Sequence, residues 1–130
     1  HTAAPATKPA AHAAVDLERS MKAMERSLKQ LERQAKDESQ SESSLRIVAE
    51  LQQHVLTAKL GVPHTPDNFT PEQTIGAVLS YRKRMGILLQ QLVDLETAIL
   101  DKNQKKIADT LTAIHNTEKA GHEQFNVKEH

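Results

Sequence analysis

The strongest constraint on the fold of this chain is the spacing of apolar residues in its first helical segment. The steps between them are four, three, four and three residues, which places their side chains on one stripe of an α-helix. Polar residues fill the opposite face, so the stripe needs other helices to cover it. The segment, about 15–36, therefore predicts one member of a helix bundle. Its apolar positions are Leu17, Met21, Met24, Leu28 and Leu31.

Three further segments repeat the helical pattern. The second is predicted over about 44–60, the third from Pro71 to about Leu100, and the fourth after a turn at 101–103. Thr70 and Gln73 around Pro71 form the signature of a capping box at the start of the third helix. The apolar positions of these three helices are Leu45, Val48, Leu51, Val55 and Leu56; Ile75, Val78, Leu79, Met85, Leu88, Leu89, Leu92, Leu95 and Ile99; and Ile107, Leu111, Ile114 and Phe125.

The composition agrees with an all-α core and excludes several classes of protein. Aromatic residues make up only 2% of the chain, whereas β-sandwiches and barrels favour them. The 17 basic and 17 acidic residues cancel, which disfavours nucleic-acid binding. No apolar run approaches the roughly 20 residues that span a bilayer. We therefore predict an all-α, antiparallel up-down-up-down four-helix bundle over residues 14–130, preceded by a flexible Ala/Pro/Thr-rich tail over residues 1–13.

Catalytic signatures are missing from the sequence. It contains no P-loop, no dinucleotide-binding glycine motif, no nucleophile elbow and no H-E-x-x-H pair. It also contains no cysteine, which removes disulfides, thiolate metal sites and covalent haem attachment through C-x-x-C-H. The sequence therefore predicts a protein that is not an enzyme.

One end of the predicted bundle brings two metal-binding residue types together. His122 falls on the apolar stripe of the fourth helix, between Ile114 and Phe125. Met21 lies one turn into the first helix, and antiparallel helices place it level with His122. Imidazole and thioether are ligands for haem iron and copper, although methionine on a seam is more often packing.

Three stretches together resemble the soluble cytochrome b562 family. Residues 16–21, DLERSM, are similar to its first-helix opening, whose methionine is an axial haem ligand. Residues 81–88, YRKRMGIL, are similar to its third-helix segment. Residues 119–125, KAGHEQF, are similar to its C-terminal segment, in which an aromatic residue follows a histidine by three positions. The resemblance covers about 15–128, and it departs from the family at Glu118 and Gly121, where arginine and tyrosine are common.

The resemblance implies a periplasmic electron-transfer protein that holds one non-covalent haem b between Met21 and His122. The proline-rich beginning of the chain, without an initiator methionine, agrees with an exported protein whose signal peptide has been removed. We expect haem as a partner, together with redox proteins whose identity is unknown. We expect no binding to nucleic acid or to a membrane. The protein is predicted to be a monomer or a weak oligomer. The expected haem pocket comprises Leu17, Met24, Met85, Leu88 and Phe125. Candidate cations for the haem propionates are Arg19, Arg82, Lys119 and Lys128.

Two other readings of the residues stay open. His115, Glu118 and His122 lie at i, i+3 and i+7 on one helical face, a spacing that could hold copper or zinc without haem. The other alternative is a cofactor-free interaction bundle in which His122 faces solvent. The three readings assign different roles to His122, so its environment separates them.

Overall fold

The chain folds into four α-helices in a computed structural model that describes residues 9–61, 63 and 65–125, with side chains except those of residues 9–18, 122, 124 and 125. The helices are α1 (Pro9–Gln34), α2 (Ser41–Lys59), α3 (Pro71–Leu100) and α4 (Gln104–Phe125), with a single 3₁₀ turn at Glu38–Gln40 before α2. No strand occurs in the described residues. The predicted all-α four-helix bundle is confirmed.

Helix α1 begins earlier than the sequence pattern predicts. Its first residue is Pro9 rather than a residue near Val15, so residues 9–13 of the expected tail are helical. Proline suits the first position of a helix, where its missing N–H has no intrahelical partner to lose. Residues 1–8 of the expected tail lie outside the described residues, and the tail there stays a prediction.

Local hydrogen bonds fix the helix boundaries between these elements. The capping box before α3 is confirmed: Gln73 donates its backbone N–H to the Thr70 hydroxyl, and Thr70 donates its N–H to the Gln73 side chain. Before the 3₁₀ turn, the Asp37 carboxylate accepts from the hydroxyl and backbone N–H of Ser39 and from Gln40. These bonds, the Ser39 hydroxyl first, lower the pKa of the Asp37 carboxyl.

The helices pack in chain order around one core. Helix α2 packs closely against α1 and α3, and α3 packs closely against α4. In the described residues α1 and α4 approach each other less closely than these three pairs do. The side chains with the least exposure come from all four helices: Leu31, Val48, Leu51, Val55, Tyr81, Leu92, Leu95, Ile107 and Ile114.

Three residues predicted for the core seam are exposed instead. Leu56, Ile75 and Leu79 keep 49%, 61% and 56% of their surface accessible. At 100° per residue, Ile75 and Leu79 lie about 120° and 160° around α3 from Tyr81, which is buried. The Tyr81 hydroxyl donates to the carbonyl oxygen of Ala58, so it satisfies its polar atom inside the core. The Tyr81 side of α3 therefore faces the bundle core, and the Ile75 side faces outward.

Candidate functional site

A small apolar cavity lies between the middle of α1, the middle of α3 and the last turns of α4. Its volume is about 20 Å³, enough for roughly one water molecule. Three helices contribute its lining residues: Met21, Met24 and Leu28 from α1; Arg84, Met85 and Leu88 from α3; Thr117, Glu118 and Gly121 from α4.

The cavity gathers all of the predicted haem ligands and pocket residues whose side chains are described. Met21 and Met24 are both buried, with 6% and 4% of their surface exposed, and both contact the cavity. Met85 and Leu88 lie opposite them on α3 and are also buried. The structure therefore brings these four predicted residues together at one cavity, and burial alone does not distinguish Met21 from Met24.

The second predicted ligand occupies a helical position beside the same cavity. Residue 122 follows Gly121, which is buried and lines the cavity, and lies one turn beyond Glu118. The side chains of His122, Leu17 and Phe125 lie outside the described residues. Their predicted roles as ligand and pocket walls therefore stay predictions.

Arg84 is a cavity residue that the sequence analysis missed. Its aliphatic stem crosses Gly121, where a Cβ atom would come within 3.2 Å of Arg84 Cδ and 3.7 Å of Cγ. Glycine at position 121 thus leaves the space through which Arg84 reaches the cavity. A signal existed in the sequence, because Arg84 lies between Tyr81 and Met85, at the border of the buried stripe.

Three of the four cations that were predicted for the haem propionates lie away from the cavity. Arg19, Arg82 and Lys119 are exposed, and none of them lines the cavity. Lys128 lies outside the described residues. Arg84 and Glu118 are therefore the charged residues that line the described cavity, and their charges are opposite.

His115 contacts helix α1 rather than the cavity. Its Nδ1 atom lies 3.8 Å from Glu32 Oε2, and both side chains are largely exposed. The residues with described side chains contain no group of three His, Asp or Glu residues close enough to hold a metal ion. The alternative set of His115, Glu118 and His122 includes a side chain that is not described, so it stays a prediction.

Comparison with known proteins gives one informative match. The sequence profile of the family described as Cytochrome b562 matches residues 16–126. This chain belongs to the cytochrome b562 family. No curated protein and no solved structure matches it. The resemblance seen in the sequence is thereby confirmed over nearly the whole helical region.

Members of the cytochrome b562 family bind haem b non-covalently and act as small electron-transfer bundles. The expected cofactor, haem b, is thus confirmed at the level of the family. Within the described residues, every helix of this family member is too short or too polar to span a bilayer. The remaining question is which of its residues hold the haem.

Proposed function

We propose that this cytochrome b562 family member carries single electrons on a haem b held between Met21 and His122. The observation that supports the proposal most directly is the buried thioether of Met21 at an apolar cavity. The helical position of His122 borders the same cavity through Gly121. Neutral imidazole and thioether are compatible with b-type haem ligation, and the chain has no cysteine for covalent attachment.

The chemistry of the lining fits a haem, but the cavity must enlarge to admit one. A volume of about 20 Å³ holds roughly one water molecule, far less than a macrocycle. The cavity lies between α1, α3 and α4, and in the described residues α1 and α4 pack less closely than the helix pairs that follow one another in the chain. Separation of α1 from α4 therefore opens the site at the smallest loss of packing.

The residues around the cavity would control a bound haem by ligating its iron and by excluding water from it. Bound haem supplies a one-electron couple. Met21 and His122 would hold the iron through a thioether and an imidazole, a ligand pair that favours electron transfer over oxygen chemistry, and a thioether ligand raises the potential. Met24, Met85 and Leu88 would exclude water from the macrocycle faces, which also favours the less charged, reduced state.

Arg84 would supply the positive charge that the haem carboxylates require. Ionised propionates are costly to bury unless a cation or water accompanies them. A guanidinium keeps its charge and forms paired hydrogen bonds with a carboxylate. Arg84 reaches the cavity across Gly121, whereas Glu118 brings a negative charge to the same lining. We therefore assign charge compensation to Arg84 rather than to the exposed Arg82.

The proposed location is the periplasm. The cytochrome b562 family is periplasmic, and this chain belongs to that family. Fractionation of cells that express the protein from its own gene tests this part of the proposal. Recovery of the protein in the cytoplasmic fraction alone would contradict it.

The decisive experiment is an optical titration of the purified chain with haemin, before and after reduction with dithionite. We expect sharp low-spin bands that saturate at one equivalent. Met21→Ala should alter the reduced spectrum and weaken binding, because it removes one axial ligand. Met24→Ala is the matched control: it removes a thioether from the same wall and should lower stability while preserving the low-spin bands.

Two histidine variants complete the test. His122→Ala should abolish the six-coordinate spectrum, whereas His115→Ala should leave it intact because His115 contacts Glu32 on the outside of the bundle. Equal spectral effects of Met21→Ala and Met24→Ala would refute the choice of methionine. Absence of saturable haemin binding by the folded chain would refute the proposed function itself.

A further inference from the structure

Helix α1 contains a seven-residue sequence repeat that sorts its charges. Residues 17–37 read LERSMKA, MERSLKQ and LERQAKD, so each heptad has a glutamate second, an arginine third and a lysine sixth. At 100° per residue, the first and fifth positions lie together on the buried side of the helix, and the third and sixth lie together on the opposite side. The repeat therefore produces a cationic stripe on the outer face of α1. Its members within the helix are Arg19, Lys22, Arg26, Lys29 and Arg33.

The structure leaves the cationic stripe exposed to solvent. All five residues are exposed, and none of them makes an ion pair or a side-chain hydrogen bond within the part of the chain that the structure describes. They extend roughly 21 Å along the helix at 1.5 Å per residue. Like charges three or four residues apart destabilise a helix. The stability of α1 therefore does not explain why its cations are arranged in this way.

The glutamates of the repeat lie on a different side of α1. Glu25 and Glu32 each precede an arginine of the stripe, so each lies about 100° around the helix from that arginine. The Glu32 Oε2 atom lies 3.8 Å from His115 Nδ1, which identifies this side as the one that faces α4. Lys29 follows Glu25 by four residues, a spacing that allows an ion pair, but Lys29 forms none with a described residue. The cations and carboxylates of α1 are therefore separated, and residues 19–36 contain six basic and two acidic residues.

The surroundings of the cationic stripe favour a partner protein over a lipid or nucleic-acid surface. A helix that binds a membrane surface inserts an apolar face beside its cations. The apolar face of α1 is instead buried in the bundle core, where Met24 and Leu31 lie, and α1 has no exposed large apolar residue among its described side chains. The chain as a whole has no net charge, so it lacks the positive excess that attracts a continuous polyanion. A localised acidic patch on another protein complements a localised cationic stripe.

We propose that the cationic stripe of α1 docks an acidic surface of a partner protein. Opposite charges on two surfaces speed their encounter and fix their orientation, while exposed ion pairs keep the complex weak. Weak complexes with small interfaces are typical of electron-transfer proteins. The stripe lies on the outer side of the same helix whose inner side carries Met21 and Met24 to the cavity. Naming the partner an electron donor or acceptor rests on the proposed function, whereas the docking itself does not depend on haem.

The test uses a fluorescently labelled, helical acidic peptide of about the length of the stripe, with one glutamate for each of its cations. Fluorescence anisotropy measures the affinity of this peptide for the full chain, with and without haemin. We expect saturable binding at about 20 mM salt that weakens at least tenfold by about 200 mM salt, because added ions screen exposed charges. The haem-free and haem-loaded chains should bind the peptide equally. Peptide binding by a chain that takes up no haem would support the docking surface while refuting the proposed function.

The decisive variant combines Arg26→Glu with Arg33→Glu. It should weaken peptide binding about tenfold, because two attractions become repulsions. The matched control combines Lys83→Glu with Lys106→Glu, which lowers the net charge by the same amount at exposed positions of α3 and α4. It should leave the affinity within about twofold of the unmodified chain. Far-ultraviolet circular dichroism verifies that both variants fold.

Three results would overturn the proposed docking surface. The first is absence of peptide binding by the folded chain at low salt. The second is an equal loss of affinity in the two double variants, because net charge rather than the stripe would then determine binding. The third is tighter binding of anionic phospholipid vesicles or duplex DNA than of the peptide, through the same two arginines. That result would assign the stripe to a lipid or nucleic-acid surface.

Discussion

The contact between Gly121 and Arg84 gives the sharpest prediction about the site. Replacing glycine by alanine inside a helix normally stabilises a protein by about 1 kcal/mol, because glycine loses more backbone freedom on folding. At position 121 the new Cβ atom would lie 3.2 Å from Arg84 Cδ, so the arginine stem must shift. Forcing a side chain away from its preferred rotamer costs about 0.5–1.5 kcal/mol. The two effects nearly cancel.

We therefore expect Gly121→Ala to change the free energy of unfolding by less than about 0.5 kcal/mol. Arg84→Ala removes the side chain that the new Cβ atom would meet. In that background Gly121→Ala should stabilise the protein by about 1 kcal/mol. The assay is urea unfolding of the haem-free chain followed by circular dichroism. The double-mutant cycle should yield a coupling energy of about 1 kcal/mol.

Gly76→Ala is the matched control for this cycle. Gly76 also lies near the end of a helix, but a Cβ atom there would meet nothing within 4 Å. It should stabilise by about 1 kcal/mol whether or not Arg84 is present. If Gly121→Ala gained as much as Gly76→Ala in both backgrounds, Arg84 would not depend on the space at Gly121. The assignment of Arg84 to the cavity would then be wrong.

Other predictions follow from the core and the helix ends. Burial raises the pKa of the Tyr81 hydroxyl, so the unfolded chain ionises first, and stability should fall as pH rises above about 10. Tyr81→Phe should lessen this alkaline loss in urea unfolding at several pH values; an unchanged slope would contradict the cause. Thr70→Ala should cost about 1 kcal/mol by removing the acceptor for Gln73 N–H, and an unaltered midpoint would refute that role. Leu95→Ala should cost about 2–5 kcal/mol, whereas Leu79→Ala should cost far less; similar losses would contradict their different burial.

The buried side chain of Gln34 makes contacts that helical periodicity does not predict. Gln34 at the end of α1 donates to the hydroxyl groups of Ser43 and Ser44 at 3.1 and 3.0 Å, so it links α1 to the start of α2. The sequence pattern treats all three as surface or connector residues. They meet because the 3₁₀ turn brings the two helix ends together, which helical periodicity does not encode.

Sequence patterns alone predict the number and type of helices, the capping box at Thr70 and the family of the chain. Each depends on neighbours within a few residues or on short stretches in a fixed order, and such features need no tertiary context. The methionine wall of the cavity was also readable, because Met21, Met24 and Met85 occupy stripe positions that the antiparallel arrangement places at one end of the bundle.

Packing between the helices selects which side of α3 is buried. Ile75 and Leu79 follow the same steps of three and four residues as the buried positions, so periodicity permits either side to face the core, and the predicted seam combined residues from both sides. Packing of α2 and α4 selected the stripe of Tyr81, Met85 and Leu92 and left Ile75 and Leu79 outside. It also brought Arg84 across Gly121, a contact between helices 37 residues apart in sequence. Contacts between distant segments depend on how whole helices rotate and approach, and no local pattern specifies that choice.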